Sequence, residues 1–140
     1  MSLLVTEKDP AALKRWQLTS LLISLFCLLF GGVYERYSHG VYSYFMLYAF
    51  VVPLVGGTLL SHLLELFCRR RMPGRLAVLL YNFGIATLTV GCIFQGVLEI
   101  YGATNRLMAA YWVAGAALLL IGAGSYAGAM RLSAYRERPE

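Results

Sequence analysis

The sequence predicts an all-α integral membrane protein, a four-transmembrane-helix up-down bundle with both termini cytoplasmic. Three observations predict it. Hydrophobic residues make up 59% of the 140-residue chain and charged residues only 14%, whereas a soluble domain carries roughly a quarter of its residues charged. Four apolar segments, about 16–34, 41–68, 76–100 and 107–130, each reach the roughly 20 residues that a spanning helix needs. Ten of the 12 Lys and Arg fall on one side of such a bundle.

The first segment follows Lys14 and Arg15, as the apolar core of a secretory signal would. It ends in Phe30, Gly31, Gly32, Val33, Tyr34 and Glu35 without a small-x-small cleavage site, so it reads as a retained helix. Asp9-Pro10-Ala11-Ala12 has the form of a cap followed by proline in the first turn. A short interfacial helix is therefore expected to begin there and run into the first span. The second segment carries Pro53, Gly56 and Gly57 near its middle. Proline removes a backbone hydrogen bond and kinks a helix, and interrupted helices at the midplane build transport sites in some folds. The ordinary reading stands beside it, since glycine and proline are tolerated in spans. All three connections are short, which gives one domain over residues 1–140 and up-down topology. An outer-membrane barrel would need many alternating segments of about ten residues, and these runs are long and unbroken.

Orientation follows from the basic residues. Lys8, Lys14, Arg15, Arg69, Arg70, Arg71, Arg75, Arg131, Arg136 and Arg138 share one side, and Arg36 and Arg106 the other. The positive-inside rule puts the larger set in the cytoplasm. So uneven a bias argues against transporters that insert in both orientations. Arg69, Arg70, Arg71 and Arg75 beside a span read as a topology signal that also holds anionic lipid headgroups, at about 1 kcal/mol per basic residue. The net charge of +5 thus needs no nucleic acid. The predicted location is the cytoplasmic or plasma membrane.

Small residues crowd the fourth segment. Gly124 and Gly128 form a G-x-x-x-G pair, and Gly115 and Gly122 are seven apart. Lipid gives no hydrophobic push between helices, so small side chains set where they meet. Either pair suits a neighbour in the same chain or a second copy. A homo-oligomer or a partner membrane subunit is expected, alongside membrane lipids.

Two polar groups lie at different depths. The inner one comprises Thr58, His62, Glu65 and Arg69, spaced four, three and four apart on one helical face, with Asn82 opposite His62 across an antiparallel turn. A proton-coupled switch of His62, Glu65 and Asn82 competes with a hydrogen-bonded knot between helices. The outer group holds seven of the ten tyrosines. Tyr37, Tyr44 and Tyr48 follow one stripe by spacing, Gln95 and Glu99 are four apart on one face, and Tyr111 lies at the same level. These residues could build a cup for a cationic or aromatic molecule; an interfacial aromatic belt, with Glu35 and Glu99 paired to Arg36 and Arg106, is the competing reading.

No catalytic set, metal set or cofactor is predicted. Cys27 and Cys92 lie within spans and Cys68 at the end of one, with no C-x-x-C, so all three read as packing residues. His39 and His62 are 23 residues apart, about 35 Å along a helix, which leaves only a haem shared with a partner subunit. Two function classes follow: a small oligomeric transporter with Pro53, His62, Glu65 and Asn82 in gating or coupling, or a non-catalytic membrane subunit anchoring a larger complex.

Overall fold

The computed structural model describes residues 5–7, 10–67, 71–73 and 75–136. Four helices are long and apolar enough to cross a membrane: Lys14–Tyr37, Tyr44–Leu63, Arg75–Ile100 and Met108–Gly128. The first belongs to α1 (Pro10–Tyr37), which starts at the proline of the expected first turn and runs unbroken into the span. The third is α5 (Arg75–Ile100) and the fourth lies within α6 (Met108–Arg136).

The second span differs from the continuous helix over 41–68. It begins only at Tyr44, because Ser43 is extended and its Oγ accepts the Met46 N–H to cap α2 (Tyr44–Tyr48). After α3 (Val51–Pro53) the chain adopts a π-helical turn over Leu54–Leu59, then resumes as α4 (Leu60–Phe67). Within that turn geometry the Leu60 N–H reaches the Val55 carbonyl, five residues back. Pro53 has no N–H to give, so the regular ladder fails there. Ser24 on α1 donates from Oγ to the Phe50 carbonyl at 2.9 Å, which ties the irregular stretch to its neighbour. Away from the helices, β1 (Val5–Glu7) pairs antiparallel with β2 (Arg71–Pro73), Val5 opposite Pro73.

The interior holds small and polar residues, and the large apolar ones face outward. Ser20, Ser24, Cys27 and Gly31 are spaced four, three and four apart along the buried stripe of α1. Ser43, Met46, Ala49, Ser61, Ala77, Thr89 and Cys92 are buried with them, while Leu18, Phe26, Leu66, Val113 and Leu120 are exposed. The second span lies between α1 and α5, and α6 packs along α5.

Close approach sets the packing. Met46 is wedged between two glycines: a Cβ on Gly31 would lie 2.9 Å from the Met46 carbonyl oxygen, and one on Gly96 would lie 2.8 Å from the Met46 nitrogen. Gly57 lies against Ser20, Gly84 and Gly115 against Leu119 and Leu88, and Gly122 against Tyr81. Gly124 and Gly128 have open space around them. The two small-residue pairs of α6 thus part company: Gly115 and Gly122 face α5, and the G-x-x-x-G pair does not.

Gly96→Ala is expected to destabilise the protein by about 1–3 kcal/mol, because backbone rather than a flexible side chain meets the new methyl. Gly124→Ala should be neutral or slightly stabilising. Thermal unfolding of both variants in detergent checks the contrast.

Candidate functional site

Residues 37–44 and 101–107 gather at one end of the bundle, here the tyrosine end; residues near 10–15 and 71–75 mark the arginine end. At the tyrosine end α1 stops in a tight reversal. His39 has φ 56° and Gly40 φ 89°, both left-handed. Glycine takes that region freely, but histidine there is strained by about 1–2 kcal/mol. The turn is tied by Ser38, whose Oγ donates to the Glu35 carbonyl at 2.8 Å, and by the Val41 N–H donating to the Ser38 carbonyl at 3.2 Å.

This reversal separates residues that sequence spacing places together. Tyr37 ends α1 and Tyr44 begins α2, so no helical stripe runs through Tyr37, Tyr44 and Tyr48. Tyr37 instead lines an open cleft of about 520 Å³ with Tyr34, His39 and Tyr101, floored by Phe30, Val33 and Ile100. Tyr34 and Tyr101 both contribute to its wall. Tyr37 and Tyr101 are each 76% exposed.

Tyr44 and Tyr48 stack at 6.5 Å with planes 6° apart. They line a different groove, of about 400 Å³, with Phe45, Val51, Val52 and Cys92. Tyr111 covers Gly91 and tilts against Phe94 at 5.9 Å. Beside it Trp112 meets Phe45 at 5.7 Å.

Gln95 and Glu99 do come together. Gln95 Nε2 donates to Glu99 Oε1 at 3.3 Å. Ser43 Oγ donates to Glu99 Oε2 at 2.6 Å, so the residue that caps α2 also fastens it to the end of α5. Glu35 Oε1 is buried without a hydrogen-bond partner among the described residues. The expected cup is thus three arrangements: an aromatic cleft at the end of α1, a tyrosine-walled side groove, and a serine-carboxylate-amide link between them.

At the arginine end, Asn82 Oδ1 accepts the indole N–H of Trp16 at 2.8 Å, and Trp16 meets Tyr81 edge-on at 6.4 Å. Sequence spacing places Asn82 opposite His62 across two helices; α1 brings an indole donor to Asn82 as well. His62 is exposed and makes an interaction of its own. The side chains of Glu65 and Arg71, and all of Arg69 and Arg70, lie outside the described residues. Arg75 opens α5 and is exposed. Pro53 is buried and leads into the π-helical turn, where Thr58 Oγ1 is buried without a partner among the described residues. Among the described residues, no group of three or more His, Cys, Asp or Glu is placed to hold a metal.

Tyr34 and Tyr101 are the cleft residues that spacing arguments missed as a pair. Depth places both in the outer polar group, Tyr34 near the end of the first span and Tyr101 just past the third, but spacing does not single them out. Comparison with protein-family models, with curated proteins and with solved structures finds no match to this chain.

Trp16→Phe should cost about 1–3 kcal/mol, because Asn82 keeps an acceptor and loses its donor. Pairing it with Asn82→Leu should recover part of that loss. A double-mutant cycle of unfolding free energies in detergent checks the coupling.

Proposed function

We propose that this protein is a multi-pass membrane protein, with both termini and the Arg69–Arg75 loop cytoplasmic, that acts as a small oligomeric transporter and receives a cationic or aromatic small molecule in the tyrosine-end cleft. The inverted distribution of side chains supports the membrane setting: leucine, valine and phenylalanine face out while serine, threonine, alanine and cysteine are buried, as lipid-facing helices require. The ten basic residues of the arginine end support the orientation, which makes the tyrosine end external.

One observation carries the transport reading over the anchor. The second span is interrupted midway by Pro53 and the π-helical turn, and the Thr58 hydroxyl inside that turn is buried with no partner among the described residues. An unmade hydrogen bond on a buried polar group costs about 1–3 kcal/mol, and π-turns gather at functional sites. A helix that only anchors gains nothing from either. A span with a weakened middle can instead bend, and its two halves then shift relative to one another as alternating access needs. The strained backbone of His39 in the wall of the cleft points the same way, since such strain collects at functional sites. The cleft is of a size that suits a small molecule and its rings suit a cation.

The second reading, a non-catalytic membrane subunit, draws on α6. Its helical packing is on α5, and Ala110, Ala114, Ala117, Gly124 and Gly128 are exposed. Purification in mild detergent separates the two: a stoichiometric companion favours the subunit, and a clean homo-oligomer favours the transporter.

Ethidium and tetraphenylphosphonium are suitable aromatic and cationic probes. Tyr37→Ala with Tyr101→Ala should weaken probe binding by about 10-fold or more, at up to about 1–2 kcal/mol per ring removed, while leaving the thermal transition of these exposed sites unchanged. Glu99→Lys should abolish uptake into proteoliposomes. Unchanged binding and uptake in both variants would remove the proposal.

A further inference from the structure

We infer that the groove between α1 and α6, beside the arginine end, is a binding site for one anionic phospholipid. An acyl chain lies in the groove, and Arg75, Lys14 and Arg15 hold the headgroup phosphate. The inference rests on the membrane setting and on neither the transport nor the anchor reading.

The groove exists because α6 has its close helical packing on α5, which leaves a gap toward α1. Trp16 of α1, Tyr81 of α5 and Tyr126 of α6 all line that gap. Gly122, against the Tyr81 backbone, and Ala123 add little bulk to fill it. Its volume is about 150 Å³ and its wall is almost wholly apolar, although three of these side chains carry a polar atom. Trp16 accounts for its part. The indole N–H donates to Asn82 at 2.8 Å and the ring meets Tyr81 edge-on, which leaves carbon to face the groove. A slot of this size takes a stretch of hydrocarbon chain rather than a whole molecule. A polar ligand would lose its hydrogen bonds to water on entering and gain none.

Charge selects the occupant. Arg75 is three residues before Val78, which also lines the groove, and residues three apart on a helix share a face. Lys14 and Arg15 immediately precede Trp16, and all three basic residues are exposed. Arg15 Nε donates to the Ala11 carbonyl at 3.4 Å, so its guanidinium turns back toward the arginine end and away from the hydrocarbon. These charges stand within about one helical turn of the groove. Cations at the mouth and an apolar slot below follow the order in which a phospholipid carries its phosphate and its chains. A neutral lipid brings no net charge to the three cations. An anionic one gains about 5-fold in affinity for each basic residue engaged. The bound chain then fills the space between α1 and α6 that the protein's own side chains leave.

The chain has two tryptophans, and Trp112→Phe leaves Trp16 in the groove as the single indole fluorophore. The full chain with that substitution is reconstituted in vesicles of phosphatidylcholine and phosphatidylglycerol, with bromine on the acyl chains of one lipid at a time. Brominated phosphatidylglycerol should quench Trp16 beyond its mole fraction, and brominated phosphatidylcholine below its own. The preference expected is about 5-fold for each basic residue engaged, and Arg75→Gln should lower it by one such factor. Ala123→Leu puts bulk into the groove from an exposed position and should remove the excess quenching. Quenching that follows mole fraction for both headgroups means passing lipid contact only and overturns the site. A preference that survives both variants overturns it as well. Failure of the chain to enter the vesicles would overturn the membrane setting along with the site, so the two failures are told apart. The comparison of the two lipids needs no substitution in the groove, so it decides the question even where a groove variant fails to fold.

Discussion

Backbone contact through glycine is the interaction on which the rest of this fold depends. Helices whose large apolar side chains face outward cannot be held together by burying them, so dispersion over close surfaces and a few hydrogen bonds must serve. Met46 between Gly31 and Gly96 is the clearest case. It fixes the height of the second span against α1 and α5 at once. The Ser43–Glu99 hydrogen bond is then formed one turn above and the Ser24–Phe50 bond one turn below. A larger side chain at either glycine would move all of these together.

The second span combines this tight upper contact with an irregular middle. Above Pro53 it is capped by Ser43 and pinned by glycines; below it the π-turn leaves a hydroxyl unmatched. Such a helix has one end anchored and a place at which to bend. The proposed transport activity uses that asymmetry, and the aromatic cleft lies at the anchored end, where α1 reverses through a strained histidine. Capture and movement are thus assigned to different parts of the bundle, joined through α1 and the second span.

What could be read from the residues followed from physics acting over long stretches. Hydrocarbon thickness demands about 20 apolar residues, and the four helices of that length fall within a few residues of the expected spans. Gln95 and Glu99 meet because a four-residue spacing holds wherever a helix is regular. Spacing misled where regularity stopped. Left-handed backbone at His39 and Gly40 parts Tyr37 from Tyr44, and nothing in the histidine itself announces that conformation. The Trp16–Asn82 bond joins residues distant in sequence, and only the relative heights of α1 and α5 reveal it. The π-turn was half visible, since Pro53 marks a broken ladder but does not say which register follows.

The central claim is that this chain crosses a bilayer four times with its arginine end inside. The most direct measurement is labelling of single introduced cysteines in intact cells by a membrane-impermeant maleimide, in a Cys68→Ser background. Thr104→Cys at the tyrosine end should label before permeabilisation, and Met72→Cys at the arginine end only after it. Labelling of Met72→Cys from outside would reverse the orientation, and recovery of the protein in the soluble fraction without detergent would contradict the account as a whole.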